Sequence, residues 1–238
     1  MIRPSRKKQQ RTAEQNAAHA ELQSINAECV LKTIRFKFRK TEKVKFISHI
    51  EMMNAFMRAL RRAELNVVYT QGFNPGMRLV FALPLPVGVS SDSEYVDIWF
   101  NIEYECQYAA DMLSKALPDG FELLEAFSVE KSTLMEDVGS AIYGFKVNSS
   151  CNLKKSLDKL LTLDGIEVDK SNNKGPVDIL PYIYKIDYHD ENSFSVLCKA
   201  GAKGNLHPRL LLKALEKYTG THIEEISINR NKLFLKVQ

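Results

Sequence analysis

The residue best placed for acid–base or phosphate chemistry is His49, which follows Ser48 at the predicted start of a helix. Ser48 and Glu51 are three residues apart and form a capping box, which fixes the helix N-terminus at this point. Because a helix N-terminus favours anions nearby, His49 is a candidate base or phosphate contact. The alternative is a partly buried residue of the capping region that makes an ordinary hydrogen bond.

Other catalytic and metal-binding patterns do not occur in the sequence. No serine or cysteine stands in a nucleophile elbow, and the P-loop and dinucleotide-binding glycine patterns are both absent. The cysteines stand alone, without a C-x-x-C or Cys/His cluster, and are Cys29, Cys106, Cys151 and Cys198. Isolated cysteines argue against structural zinc and iron–sulfur sites. We therefore predict no catalytic residue, no metal and no cofactor held by this chain itself.

The stretch 69–89 is rich in glycine and proline and predicts a constrained loop followed by a short strand over 78–83. Ligand-contacting groups concentrate on loops held by rigid elements, so this is a candidate binding loop. Its amides and one arginine would hold a phosphate or carboxylate. The alternative is a structural turn that connects two strands. The candidate residues of the loop are Gln71, Gly72, Phe73, Asn74, Pro75 and Arg78.

Cations and apolar residues alternate along the predicted strand 31–40. Ile34, Phe36 and Phe38 point to one side of the predicted sheet. The side chains that point to the other side are the cations between them and two aromatic rings of the predicted strand 94–101, namely Arg35, Lys37, Arg39, Tyr95 and Trp99. Cations beside aromatic rings on a free sheet face suit single-stranded RNA. Asp97 speaks against a simple RNA platform, and the alternative is that this face packs against the second half of the chain. The candidate nucleic-acid contacts are Arg35, Lys37, Arg39, His49, Arg58, Arg61, Arg62, Tyr95 and Trp99.

The predicted elements follow the order strand, helix, strand, strand, helix, strand, and the same order returns in the second half. The predicted inward stripe of the first helix is Ile50, Met53, Met57 and Leu60. The chain closes with a predicted strand or with a hairpin about residues 230–231. We predict an α+β fold of two tandem ferredoxin-like halves with antiparallel sheets. The expected domains are a disordered or loosely helical basic arm at 1–30, a first half at 31–135 and a second half at 140–238.

The composition is that of an ordinary soluble globular protein, with 45% hydrophobic and 26% charged residues among 238. No apolar run approaches the roughly 20 residues that a membrane helix needs. The N-terminus carries no apolar signal-peptide core, so the expected location is cytoplasmic, with no membrane contact. A net charge of +4 gives a weak preference for an anionic partner.

Five sequence blocks resemble the successive signatures of the radical SAM-linked (radical SAM-associated) proteins. The blocks are Phe46-Ile47-Ser48-His49, Ala59-Leu60-Arg61-Arg62-Ala63, Tyr69-Thr70-Gln71-Gly72-Phe73-Asn74-Pro75, Phe81-Ala82-Leu83-Pro84-Leu85-Pro86-Val87-Gly88-Val89 and Glu94-Tyr95-Val96-Asp97. In this bacterial family the domain occurs as a stand-alone chain or fused behind a cobalamin-type radical SAM enzyme. The resemblance starts near Leu31 and is strongest over 35–100.

The resemblance implies a partner, a cobalamin-type radical SAM enzyme, without implying a reaction of this chain. A radical SAM catalyst needs three closely spaced cysteine ligands, which this sequence lacks, so we predict that the chain is not the catalyst. The leading hypothesis is a non-catalytic accessory or substrate-binding module that presents an RNA-related substrate to that enzyme. The alternative is a pure protein-interaction module. A third hypothesis, which rests on tandem ferredoxin-like architecture alone, is an RNA-processing nuclease.

Overall fold

The computed structural model describes residues 32–169 and 175–236, so the predicted arm over 1–30 lies outside the described residues. The strands are β1 (Lys32–Lys40), β2 (Leu79–Phe81), β3 (Val89–Phe100), β4 (Phe121–Val129), β5 (Val138–Ser149), β6 (Glu167–Asp169), β7 (Pro176–Asp178), β8 (Ile183–Asp190), β9 (Ser193–Lys199) and β10 (Ile223–Leu235). The α-helices are α1 (His49–Arg62), α2 (Cys106–Ala116), α3 (Leu134–Asp137), α4 (Leu153–Leu161) and α5 (Pro208–Thr219).

One sheet of eight strands contains both halves of the described chain. Seven strands follow the spatial order β4-β1-β3-β10-β5-β9-β8, and β2 pairs with β3 beside this path. Neighbouring strands in this sheet are antiparallel except β3 and β10, which run parallel over residues 89–91 and 228–230. The predicted α+β class with mostly antiparallel strands is confirmed. The short parallel contact between β3 and β10 makes the two halves parts of one sheet.

The first-half core lies between this sheet and the helices α1 and α2. Ile34, Phe36 and Phe38 of β1 point into it, as the alternation predicts. Met52 and Phe56 of α1 pack in the same cluster, and the rings of Phe38 and Phe56 are 4.9 Å apart between centroids. The apolar residues of β1 therefore hold α1 against the sheet.

The capping box at the start of α1 is confirmed, but of the predicted inward stripe only Leu60 is fully buried. Ser48 Oγ accepts from the Glu51 amide at 3.3 Å, and the Glu51 carboxylate accepts from the Ser48 amide at 2.6 Å. Ile50 is exposed, and Met53 and Met57 are only partly buried. The residues that α1 buries are Met52, Phe56, Ala59 and Leu60. Because α1 carries apolar side chains on two neighbouring faces, periodicity alone selected the wrong one.

The second-half core lies between β5, β9 and β10 and the helices α4 and α5. Phe145 of β5 and Phe194 of β9 stack with their ring centroids 4.7 Å apart. The last strand is continuous, so the predicted alternative of a closing hairpin is wrong. A register shift between Arg230 and Lys232 against β5 marks a bulge at the point where the hairpin was expected.

Candidate functional site

A buried ion pair lies where the two halves meet. Arg230 on β10 donates from Nη1 to both carboxylate oxygens of Glu94 on β3, at 2.8 and 2.9 Å. Its Nε and Nη2 atoms donate to the Tyr143 hydroxyl on β5, at 3.0 and 2.9 Å. A buried charge is stable only when it is paired and hydrogen-bonded, so these contacts fix β3, β5 and β10 relative to one another.

The same arginine holds the proline-rich segment 83–88, which we call the clamped loop. Arg230 donates from Nη1 to the Leu83 carbonyl at 3.4 Å and from Nη2 to the Pro84 carbonyl at 3.2 Å. These carbonyls follow β2. Because the prolines end that strand, the backbone oxygens after it do not accept hydrogen bonds from a neighbouring strand. A side chain of the second half thus satisfies backbone groups of a first-half loop.

A second arginine holds the other end of the clamped loop. Arg209 on α5 donates to the Val87 carbonyl at 2.9 Å and pairs with Glu225 at 2.7 Å. Gly88 lies in the left-handed region at φ +83°, and a Cβ there would lie 2.8 Å from Arg209 Nη2. Its amide donates to the Lys45 carbonyl at 2.8 Å. The left-handed backbone at position 88 therefore favours glycine, and any Cβ there would also make the Arg209 guanidinium shift.

Lys40 lies on the first-half side of the ion pair and is buried. Its Nζ atom donates to the carbonyls of Lys45 and Ile47, each at 3.1 Å. Burial lowers the pKa of Lys40, and the nearby Glu94 carboxylate opposes that shift. Lys40 therefore holds the segment just before α1 in place, close to the buried Glu94 carboxylate.

His49 packs its ring against the Phe81 ring in an edge-on arrangement, with centroids 5.4 Å apart. Burial lowers the pKa of His49, so the neutral imidazole is favoured near pH 7. Within the described chain, the buried Nδ1 atom has no hydrogen-bond partner. The predicted role as a base or phosphate contact stays a prediction, because a half-buried ring against Phe81 is compatible with the structural alternative as well.

An open groove of about 610 Å³, which we call the junction groove, lies at the seam of β1, β3, β5 and β10. Among its lining residues in the described chain, the cations are Arg39, Lys40, Lys45 and Lys146 and the carboxylates are Glu42 and Asp92. A hydrogen bond from Lys45, at 2.6 Å, lowers the pKa of Glu42, so this carboxylate stays ionised. Arg39 and Lys45 are held in ion pairs with Asp92 and Glu42, and Lys40 donates to backbone carbonyls in the interior. Among the described residues of the groove, the exposed Lys146 is therefore the cation outside these pairs, and it suits an anionic ligand.

The predicted binding loop lies elsewhere, and its segment 71–76 is here called the open loop. It is closed by two hydrogen bonds, from the Thr70 amide to the Gly76 carbonyl at 2.8 Å and from the Gly76 amide to Thr70 Oγ1 at 3.0 Å. The candidates from Gln71 to Pro75 are all exposed. Phe73 stands fully in solvent at the tip. The predicted anion nest in this loop stays a prediction.

Arg78 and Trp99 form a pair next to the open loop. The Arg78 guanidinium lies over the Trp99 ring at 4.4 Å from the ring centroid, a cation–π contact. Trp99 is buried in this arrangement. Tyr95, on the same side of β3, is half-buried and packs against the second-half core.

The sheet face that was expected to be free is covered around Arg35, which corrects that expectation. Arg35 is buried and donates to both Asp97 carboxylate oxygens, at 2.7 and 2.9 Å. Ser132 Oγ donates to the same carboxylate at 2.5 Å, and an Asp137 oxygen is 3.7 Å from Arg35. The segment that connects the halves thus lies over this face, so Arg35 does not project into solvent.

The remaining predicted cations lie nearer the surface. Lys37 pairs with Glu125 at 2.7 Å, and Arg39 pairs with Glu122 and Asp92 at 2.8 and 2.9 Å. Arg39 also lines the junction groove. The exposed cations of α1 are Arg58, Arg61 and Arg62. Contact of these residues with RNA stays a prediction.

Sequence reasoning missed the buried ion pair, although one signal was present. Glu94 lies just before the mostly apolar end of its strand, which contains Val96, Ile98 and Phe100, and a carboxylate next to such residues indicates a buried partner. Arg230 is 136 residues further along the chain, so no spacing rule connects the two. Lys45 and Lys146 are likewise far apart in the sequence, and they line the same groove only in the folded chain.

Over 32–169 and 175–236, no group of His, Cys, Asp or Glu side chains could hold a metal ion. Burial raises the pKa of the Cys198 thiol to about 12, so this thiol is neutral and unreactive near pH 7. In the same part of the chain, every helix is too short or too polar to cross a membrane.

Comparison with known proteins places the chain in a family. A family profile with the description "Uncharacterized protein conserved in bacteria (DUF2344)" matches residues 33–208, which is well over half of the chain. The match begins in β1 and ends at the start of α5, so it includes the clamped loop, Glu94 and the open loop. No curated protein matches the chain. The chain therefore belongs to the bacterial family DUF2344.

Proposed function

We propose that this chain is a non-catalytic accessory module that binds an RNA-related substrate in the junction groove and presents it to a radical SAM enzyme. The observation that carries the proposal is the set of basic side chains that line that groove, of which Lys146 is exposed and outside the ion pairs of Arg39 and Lys45. Four cationic side chains and two carboxylates line about 610 Å³ of open space between the halves. Phosphate contacts supply most of the non-specific affinity of proteins for nucleic acid, so such a groove favours a polyanion.

The partner class comes from the resemblance of the five sequence blocks to the radical SAM-linked proteins. Two of those blocks are close to the groove or the buried ion pair: the block at 46–49 follows the groove residue Lys45, and the block at 81–89 contains the loop carbonyls that Arg230 binds. A chain of this kind would supply the binding surface while the partner supplies the iron–sulfur cluster and the reaction.

The proposal includes the ferredoxin-like interpretation of each half. It is supported by the strand order. The spatial order is β4-β1-β3-β2 in the first half and β10-β5-β9-β8 in the second half. If the four strands of each half are numbered along the chain, both orders place the fourth strand beside the first and the third beside the second. The shared sheet is an addition to that interpretation, because β3 and β10 pair across the boundary. The groove lies at this boundary, so the tandem arrangement would create it.

The test is the binding of fluorescein-labelled single-stranded RNA, measured by anisotropy at several salt concentrations. We expect Lys45→Ala and Lys146→Ala each to weaken binding and to flatten the slope of log affinity against log salt by roughly 0.7. Lys43→Ala is the matched control, because Lys43 is two residues from Lys45 but pairs with Asp119 away from the groove. An unchanged affinity and slope in both groove variants would refute the groove as the site.

A pure protein-interaction module is the second candidate, and the exposed Phe73 of the open loop favours it. The test is co-expression with a cobalamin-type radical SAM enzyme from the same genome, followed by co-purification. Loss of the complex in Phe73→Ala, together with no RNA binding by the original chain, would make this candidate the leading one. RNA cleavage in the same binding mixtures would instead support the nuclease hypothesis.

A further inference from the structure

We infer that Phe46 is a stacking platform for an unpaired nucleobase, so that the ligand of the junction groove is single-stranded rather than duplex RNA. This inference rests on the proposed function and specifies how the same site would recognise its ligand. It assigns the phosphates to Lys45 and Lys146 and one base to the Phe46 ring.

The Phe46 ring is open to solvent beside the groove. Its side chain is 72% exposed, although large apolar side chains are usually buried. Lys45, the preceding residue, lines the groove, and its Nζ atom lies over one face of the Phe46 ring, 5.3 Å from the centroid, so a base would stack on the other face. A ring with a cation beside it and an open surface is the combination that single-stranded nucleic-acid sites use for stacking.

The backbone around Phe46 keeps the ring in place without covering it. Gly88 of the clamped loop is its neighbour, since a Cβ at Gly88 would lie 3.6 Å from Phe46 Cε1. The Gly88 amide donates to the Lys45 carbonyl, which ties the two segments together. The ring therefore stands on an ordered support rather than on a free loop, and the entropy cost of ordering it for stacking is small.

The neighbouring charges favour RNA over a protein partner as the occupant. An apolar protein contact would desolvate the exposed Lys146 and the ion pairs of Lys45 and Arg39, whereas a nucleotide offers a phosphate for Lys146 and a base for the ring. Duplex RNA hides its base faces in the helical stack, so it would reach the cations but not the ring. Single-stranded RNA is the class that satisfies both contacts.

The experiment measures binding of a single-stranded RNA of about 12 nucleotides, a length within the usual site sizes. We expect Phe46→Ala to weaken binding roughly 5- to 150-fold with the salt slope unchanged, since stacking is lost while phosphate contacts remain. Phe46→Tyr should keep the affinity, and Phe46→Leu should not restore it, because leucine has no ring. Tyr184→Ala is the matched aromatic control: Tyr184 is 54% exposed on the edge strand β8, outside the groove lining, so this variant should bind as the original chain does.

Three results would overturn the inference, each in a distinguishable way. If Lys45→Ala and Lys146→Ala weaken binding but Phe46→Ala does not, the groove binds RNA without a stacking platform. If Phe46→Leu binds as well as the original chain, the ring supplies only apolar area. If Phe46→Ala leaves RNA binding intact and abolishes co-purification with the radical SAM enzyme, Phe46 is a protein contact. No RNA binding by the original chain would instead refute the proposed function itself.

Discussion

The clamped loop at 83–88 and the open loop at 71–76 each contain three glycine and proline residues but lie in opposite environments. Both are short and rich in proline and glycine. Arg230 and Arg209, which come from the second half, bind three carbonyls of the clamped loop. The open loop is closed by hydrogen bonds between Thr70 and Gly76 and exposes Phe73.

The difference shows that turn chemistry predicts a loop but not what the loop does. The clamped loop connects β2 to β3 and is bound by two arginines of the second half, so its residues have a structural role. The open loop makes few contacts of its own, and its exposed side chains are available for a partner. The following predictions separate these two roles, from the largest expected effect to the smallest.

Arg230→Ala should be the most damaging change. It removes the partner of the buried Glu94 carboxylate and the donor for two loop carbonyls, so we expect a loss of about 3–5 kcal/mol in the free energy of unfolding. Denaturant unfolding followed by circular dichroism measures it. The double variant Arg230→Met, Glu94→Leu should be more stable than Arg230→Ala, because it leaves no unpaired buried charge; equal stability would show that the charge pair is not the cause.

Gly88→Ala should lower the free energy of unfolding by about 1–3 kcal/mol, since φ is +83° and the new Cβ would displace Arg209 Nη2. The comparison is Gly76→Ala at the end of the open loop, where the nearest atom to a Cβ is Thr70 Oγ1 at 3.9 Å and φ is not positive. We expect Gly76→Ala to be neutral or slightly stabilising. Equal losses at both positions would remove the distinction between the loops.

His49 should make a small, pH-dependent contribution next to the clamped loop. Burial lowers its pKa in the folded chain, so the unfolded chain binds the proton first as the pH falls. The free energy of unfolding should therefore fall as the pH drops below about 6.5, the ordinary histidine value, towards the folded-state pKa. The contribution of His49 is the difference between the free energies of unfolding of the original chain and of His49→Gln, measured at each pH. If that difference is constant between pH 7 and pH 4, His49 titrates alike in the folded and unfolded states.

Phe73→Ala and Gln71→Ala should have the smallest effect on stability, within about 0.5 kcal/mol, because both side chains are exposed. If the open loop is a contact surface, the same variants should abolish co-purification with the radical SAM partner. Early thermal unfolding with binding per folded molecule intact would instead make the open loop a structural brace.

Local patterns in the sequence were sufficient for much of the secondary structure. The alternation in 31–40 predicted β1 and its buried side, and the Ser48 and Glu51 spacing predicted the start of α1. These features depend on neighbours within a few residues, which the sequence displays directly. The inward face of α1 was mispredicted because Met52 and Phe56 are selected by the sheet they pack against.

The sequence by itself determined an α+β chain, its capped helix, its turn-rich loops and the lack of a three-cysteine cluster motif. Only the tertiary structure decided that the halves share one sheet, that Arg230 pairs with Glu94, and that cations gather in the junction groove. Each of these arises from residues far apart in the chain, whose meeting depends on strand order and packing. The free energy that joins them comes from apolar burial across the seam, while the Arg230–Glu94 pair keeps both buried charges matched, and no local pattern encodes either.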